Sequence, residues 1–377
     1  MQQQIASKLY DSPFPIEAYR DRVAQVQRAM GHYDLDALLT CSLANICYLT
    51  GYETIATRKL YVLLIPAQGD PILLGEDFEL HNVLTSCWLD QLVTYPCLEG
   101  HTHQLKTMLQ EHGLTNKKIG IDPGCSKQLP CLFDKQVADI NFTPVPVLIE
   151  QIRAIKSQEE IDIIRQASKL SSKAMAAAIN AVAVGKTDNE IAAAAYESLI
   201  IGGSEYMCLD PIVTVGLRSG IPHTSHRRVA IDEGDAVFIE VGACICRYSA
   251  PMMRTVVMAP ISKALQQMVD ACYGSVQALV QFIEPGICAS EVAGRAKAVL
   301  THLPDDLVWH GYYGYSVGIG FPPSWDDAPV YIAEESDSVL KPGMVFHCNT
   351  SLRKIGQYGA AYGETVLVTE DGCEVLT

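Results

Sequence analysis

Apolar positions in the first part of the chain repeat with two periods in turn. Tyr19, Val23, Val26 and Met30 recur at helical spacing within Ile16 to Met30, which predicts an amphipathic helix. Short apolar runs follow at Ala37-Leu-Leu-Thr-Cys, Ile46-Cys-Tyr-Leu, Leu60-Tyr-Val-Leu-Leu-Ile and Pro71-Ile-Leu-Leu, and these read as strands. The last two flank the turn-rich Pro66-Ala-Gln-Gly-Asp, which suits a hairpin. Leu105 to His112 predicts a helix and Lys118-Ile-Gly-Ile a strand, with another helical stretch before Phe142-Thr-Pro-Val. Residues 1–150 are therefore expected to form an α/β domain on a mixed sheet.

The pattern changes at Ile152-Arg-Ala-Ile-Lys-Ser-Gln-Glu-Glu-Ile. Ser157 followed by Glu159 and Glu160 opens a long Ala-rich amphipathic helix through Val182, since acids suit a first turn. Thr187-Asp-Asn-Glu190 has the spacing of a second capping box. From Asp210 onward strands dominate, at Ile212-Val-Thr-Val, Ala236-Val-Phe-Ile-Glu-Val, Thr255-Val-Val-Met, Met344-Val-Phe-His and Thr365-Val-Leu-Val-Thr. One helical block from Ala264 to Val299 interrupts them. Residues 151–377 thus read as a second, α+β domain whose layout suits two related halves.

Bulk composition narrows the partners. A net charge of −15 disfavours nucleic acid and anionic membrane surfaces. No apolar run approaches the roughly 20 residues that span a bilayer, and Met1 to Tyr10 lacks the basic and apolar regions of a signal peptide. A cytoplasmic protein is expected. The 13 cysteines form no C-x-x-C pair, and Cys244 and Cys246 lack companions for a four-ligand site. They read as reduced, packed thiols.

Candidate chemistry gathers in the second domain. Glu240 lies inside the apolar run Val237-Phe-Ile-Glu-Val-Gly, with Phe238 on its side by strand alternation. A carboxylate there costs several kcal/mol unless it is paired or protonated, which points to a functional acid. His223, in Gly220-Ile-Pro-His-Thr-Ser-His226, is equally a loop catalyst or a surface histidine beside Arg227 and Arg228. Glu364 in Tyr362-Gly-Glu-Thr is expected to be the second acid of a pair, though alone it reads as an exposed strand end. Between Trp309 and Trp325, glycines alternate with Tyr312, Tyr313, Tyr315, Phe321 and Trp325, which offer aromatic walls to a cation. The glycine spacing is not that of a dinucleotide-binding loop. His347, within a strand, is either a pocket residue or a core histidine.

Several of these motifs, in this order, resemble the pita-bread family of creatinase, proline-specific aminopeptidases and methionine aminopeptidases. They are Arg153-Ala-Ile-Lys-Ser-Gln-Glu-Glu-Ile, Pro222-His223 leading to Glu233-Gly-Asp, Gly343-Met-Val-Phe, Glu364-Thr-Val-Leu-Val-Thr-Glu-Asp-Gly and, earlier, Asn45-Ile-Cys-Tyr-Leu-Thr-Gly-Tyr. The resemblance implies a creatinase-like N-terminal α/β domain and a pita-bread catalytic domain. It also places the ligands of the family's two metals, two Asp, one His and two Glu, at Glu240, Pro251, Tyr315, Asn349 and Gly363. Only Glu240 could still ligate, so no metal and no other cofactor is expected. Tyr248-x-x-Pro-x-x-Arg254-Thr, Gly314-Tyr-Ser-Val-Gly, Phe321-Pro-Pro-x-Trp325, Phe346-His347 and Glu364 resemble the metal-free, ectoine hydrolase-like members most.

That resemblance implies hydrolysis of a C–N bond in a small zwitterionic cyclic amidine. Glu240, His223 and Glu364 would be catalytic, with Tyr315, His347, Tyr313, Phe321 and Trp325 shaping the pocket. Arg254 or Arg58 would hold the substrate carboxylate. A homodimer is expected on the family's habit. Two other readings stand beside it: a metallopeptidase recruiting His223, His226, Glu240 and Glu364, and a catalytically inactive binding protein.

Overall fold

The computed structural model describes residues 12–96, 100–128, 140–304 and 306–377. The chain divides after Arg153 into two compact units, where composition placed the boundary at 150/151.

The first unit is built on a six-stranded sheet. Its strands are β1 (Ala37–Thr40), β2 (Val62–Pro66), β3 (Ile72–Glu76), β4 (Leu92–Tyr95), β5 (Lys118–Ile121) and β6 (Asn141–Pro144). They run in the order β4-β3-β2-β1-β5-β6. β2 and β3 form the expected antiparallel hairpin, while β1 pairs parallel with β5, so the sheet is mixed. Helix Ile16–Gly31 buries its stripe of Tyr19, Val23, Val26 and Met30. Ile46-Cys-Tyr-Leu departs from expectation: it lies in helix Leu43–Thr50, not in a strand. Ser42 caps that helix by accepting the Asn45 N–H, and Gly51 closes it at φ 76, so local capping overrides the apolar run. Pro123–Gln128 is helical, and the rest of the helical stretch expected before Phe142 lies outside the described residues.

In the second unit both capping boxes form. Ser157 and Glu160 bond reciprocally at the start of helix Gln158–Ala181, as do Thr187 and Glu190 at the start of Asp188–Gly202. The single helical block expected from Ala264 to Val299 is two helices, Lys263–Phe282 and Ala289–Leu300. Pro285 cannot continue the first, and Gly286 turns the chain at φ 89. The strands are β7 (Ile212–Val215), β8 (Ala236–Ile245), β9 (Tyr248–Val257), β10 (Gly314–Phe321), β11 (Ser324–Ile332), β12 (Val345–Lys354), β13 (Tyr358–Val368) and β14 (Cys373–Val375). Their order is β11-β10-β12-β13-β9-β8-β7, with β14 on the far side of β13. The glycine–aromatic segment is thus largely the antiparallel β10–β11 pair.

Alternation splits this sheet into two faces. Val237, Ile239, Val241 and Met252 pack under helices Gln158–Ala181 and Asp188–Gly202. Phe346, Cys348, Val366 and Val368 pack under the other helix pair. Residues of the opposite parity look away from the helices, and these build the site. Replacing Ser157 by Ala removes a cap and should cost about 1 kcal/mol; a lower urea midpoint with an unchanged slope would register it.

Candidate functional site

One rung of paired residues crosses five strands. Ile212 of β7 pairs with Glu240 of β8, and Glu240 with Met253 of β9. Met253 pairs with Gly363 of β13, and Gly363 with Asn349 of β12. Directly opposed residues share a face, so Ile212, Glu240, Met253 and Asn349 line the same cavity, of about 710 Å³. Phe238, Ser351 and Arg353 extend that face, and His223, Trp309, His310, Tyr312, Tyr315, Trp325 and Asp326 complete the wall.

Glu240 is 7% exposed and accepts no hydrogen bond from the described residues. Burial pushes its carboxyl up to about 7, opposed in part by the Arg353 cation. It is therefore an acid poised to hold or give up a proton near neutrality. Burial, and then the charge of Glu240, hold the Tyr315 phenol far above its ordinary range. Tyr315 is kept protonated and oriented: its oxygen receives the Trp325 Nε1–H at 2.8 Å. Gly242 makes room for Trp325, because a Cβ there would come within 2.8 Å of the indole.

His223 stands exposed in its loop at φ 54 and lines the cavity. His226 does not line it; its Nδ1 lies 3.0 Å from Ser225 Oγ. His310 does, its Nε2 at 3.1 Å from Asn349 Oδ1. Burial, and then the Arg353 and His223 charges, lower His310 below the usual histidine range, although the residue as a whole is exposed.

Other expected site residues lie elsewhere. Glu364 follows Gly363 by one position, so it faces the helices rather than the cavity. There it receives bonds from Arg254 Nη2 at 2.6 Å, Tyr362 at 2.7 Å and Thr377 at 2.7 Å. The expected pairing of Glu364 with Glu240 in one pocket does not occur, and Arg254, spent on Glu364, is not free for a substrate carboxylate. His347 is fully buried beside the cavity and stacks on Tyr315 at 5.4 Å and 6°. Neither of its ring nitrogens has a hydrogen-bond partner among the described residues, and burial pushes it down to about 3, so it is a neutral support for Tyr315 rather than a donor to the pocket. Tyr313 belongs to the core under the helices, and Phe321 lies 5.1 Å from the Arg247 guanidinium. Neither lines the cavity. Arg58 is an exposed turn residue of the first unit. Sequence reasoning passed over His310 and Arg353. The alternation running Asn349, Ser351, Arg353 was the signal for the second; nothing in the pattern marks the first.

The metal positions of the resembling family test poorly against these side chains. Glu240 offers a carboxylate, but Pro251 and Gly363 offer no side-chain donor, and Tyr315 and Asn349 are neutral. His347 Nε2 also sits 2.6 Å from where a Cβ at Gly363 would stand, so a ligand side chain at that position has no room. Among the described residues no group of three or more His, Cys, Asp or Glu side chains is placed to hold a metal ion.

Comparison with known proteins places the chain. The sequence profile of metallopeptidase family M24 matches residues 162–370, and that of the creatinase/prolidase N-terminal domain matches residues 22–155. The chain is 25% identical to the ectoine hydrolase of Halomonas elongata over 97% of its length and 96% of that protein's. It is equally 25% identical to an Xaa-Pro dipeptidase of Pyrococcus horikoshii, covering 96% and 98%. The prolidase structure from that organism superposes with a TM-score of 0.82 at 23% identity, over 95% of this chain and 98% of that one. The dipeptidase PepE structure from Mycobacterium ulcerans gives 0.82 at 22%, over 97% and 96%. The chain belongs to metallopeptidase family M24, with a creatinase/prolidase N-terminal domain ahead of a pita-bread domain.

Proposed function

We propose that this hydrolase opens a C–N bond of a small zwitterionic cyclic amidine, ectoine or hydroxyectoine, without a metal ion. The observation that carries this reading is Glu240, a buried carboxylate with no hydrogen-bond partner among the described residues, facing a cavity of about 710 Å³. An organic cation would supply the charge that Glu240 lacks, and the amidinium carbon would lie against its oxygens. Tyr312, Tyr315 and Trp325 give aromatic faces to a planar cation. The 25% identity to ectoine hydrolase supports the substrate class.

Hydrolysis adds water across the amidinium C–N bond. The new C–O bond forms as the ring C–N electron pair leaves on nitrogen, which takes up a proton. Glu240 supplies the oxygen, either from its own carboxylate, later released by water, or by deprotonating a water it aims at the carbon. His223, at the exposed side of the cavity, carries protons between the departing nitrogen and solvent. Glu364 has no step in this scheme, since its oxygens are held by Arg254, Tyr362 and Thr377.

Dipeptide hydrolysis is the second reading, favoured by the 25% identity to an Xaa-Pro dipeptidase. Chelation separates the two. Turnover of ectoine should survive EDTA, with no zinc, manganese or cobalt in the purified protein; dipeptidase activity abolished by EDTA and restored by metal would replace the proposal.

The ionised Glu240 is the working form, so kcat/KM should climb about tenfold per pH unit below the acid's value of about 7 and level off above it. Glu240→Gln should abolish turnover and stabilise the fold. The acid's value is raised above its ordinary 4.5, so its stabilising contribution is complete below about 4.5 and is lost as pH rises through about 7. The glutamine variant should therefore gain on the order of 3 kcal/mol at pH 8, and nothing at pH 4. Melting temperatures across that range would show a constant offset if Glu240 were an ordinary solvated acid.

A further inference from the structure

The cavity carries a second unmet charge. Arg353 is 7% exposed, and it is the one lysine or arginine lining the cavity among the described residues. Its Nη1 donates to Ser219 O at 2.8 Å, and its guanidinium lies 4.3 Å from the centre of the Phe238 ring. Nε is buried without a hydrogen-bond partner, and Nη2 bonds to no described residue. Among the described residues no carboxylate is within ion-pair distance of it; Glu240 acts on it through space across the same cavity.

The seat is built rather than incidental. Arg353 is the last residue but one of β12, and its backbone exchanges two hydrogen bonds with Val308, at 2.8 and 2.9 Å. Its side chain lies over Gly359 of the neighbouring strand, where a Cβ would come within 2.7 Å of both Cδ and Nη1. The same Cβ would meet Ser219 O at 2.1 Å, the oxygen that accepts from Arg353, so Gly359 makes room for the guanidinium and its acceptor together. A buried guanidinium with free N–H groups is costly to keep, and its planar fork matches a carboxylate.

We infer that Arg353 is the anchor for the substrate's carboxylate, set against Glu240 so that the cavity selects zwitterions over simple cations. This deepens the function proposed above and rests on it only for the identity of the cation. Glu240 repels a lone anion, and Arg353 repels a lone cation; a ligand bearing both charges satisfies each. Asp210 and Asp326, the other acids lining the cavity, are exposed and do not neutralise the guanidinium.

The test compares matched ligands on the full chain by calorimetry, with folding of each variant checked by its melting curve. Ectoine and its decarboxylated counterpart, 2-methyl-1,4,5,6-tetrahydropyrimidine, share the amidinium and differ in the carboxylate. The parent protein should prefer ectoine by at least 100-fold, and Arg353→Met should bring the two within about threefold of each other. Arg353→Lys keeps the charge and loses the fork; it should lose at least tenfold of the preference, and it serves alone if the methionine variant does not fold. Preference undiminished in the variants, or absent in the parent, overturns the anchor. If the parent binds neither amidine, the substrate proposal falls by itself. Alanyl-proline against its C-terminal amide then tests Arg353 in the same way, and an equal preference in parent and variants overturns it.

Discussion

Strand alternation fixes which charges the cavity receives. Glu240, Met253, Gly363 and Asn349 lie on one rung, so their side-chain directions are common. One step along β13 reverses the direction, and Glu364 turns to the helix layer. One step along β9 does the same to Arg254, which meets Glu364 there at 2.6 Å. The helix face thus holds a closed ion pair with its hydrogen bonds made, while the cavity face holds Glu240 and Arg353 without a salt bridge between them. The first arrangement stabilises the domain. The second holds two charges apart for a third party.

What the sequence revealed depended on whether burial could be seen locally. Glu240 was legible because five apolar neighbours in one strand leave an acid nowhere inexpensive to go. Both capping boxes were legible because their partners lie three residues apart. Glu364 misled because its neighbourhood reads the same for either face, and only its pairing to Cys348 and the parity of β13 decide between them. Alternation with Asn349 and Ser351 gives the face of Arg353 but not its burial. Leu352-Arg353-Lys354 reads as a strand running out into solvent, whereas Lys354 is half-buried. The residues that bury Arg353, namely Phe238, Ser219 and Gly359, come from three distant parts of the chain. His310 has no local signal at all. The segment from Trp309 to Trp325 gave no strand signal because glycine lowers strand propensity. Yet Gly314, Gly318 and Gly320 sit where backbone or side chains crowd in, as with the Cys208 Sγ that a Cβ at 320 would meet at 2.9 Å.

Stability and function pull against each other at Glu240. A buried, unpartnered carboxylate weakens the folded state wherever it is ionised, and its raised proton affinity is the visible sign. The domain tolerates this because the surrounding strands are anchored elsewhere, by two helix pairs with continuous apolar cores. The same economy explains His347. A neutral imidazole with both nitrogens unsatisfied contributes little hydrogen bonding, but it lies flat against Tyr315 and fixes the ring that bounds the cavity.

His347 also bears on how this site differs from a dinuclear one in the same fold. The resemblance puts the last metal ligand at Gly363, where a Cβ would come within 2.6 Å of His347 Nε2. Restoring an acid at 363 alone would drive a carboxylate into His347, and the displaced ring would lose its stacking on Tyr315. Tyr315 itself stands at the histidine ligand position and is fastened to Trp325, which in turn needs Gly242. Pro251 adds a third constraint: it has no side-chain donor, and it pairs with Gly242 across β8 and β9. These positions are therefore coupled through packing. Two metals at these positions would require Pro251, Tyr315, Asn349 and Gly363 to change, and His347 and Trp325 to move with them, because neighbours in contact do not change independently.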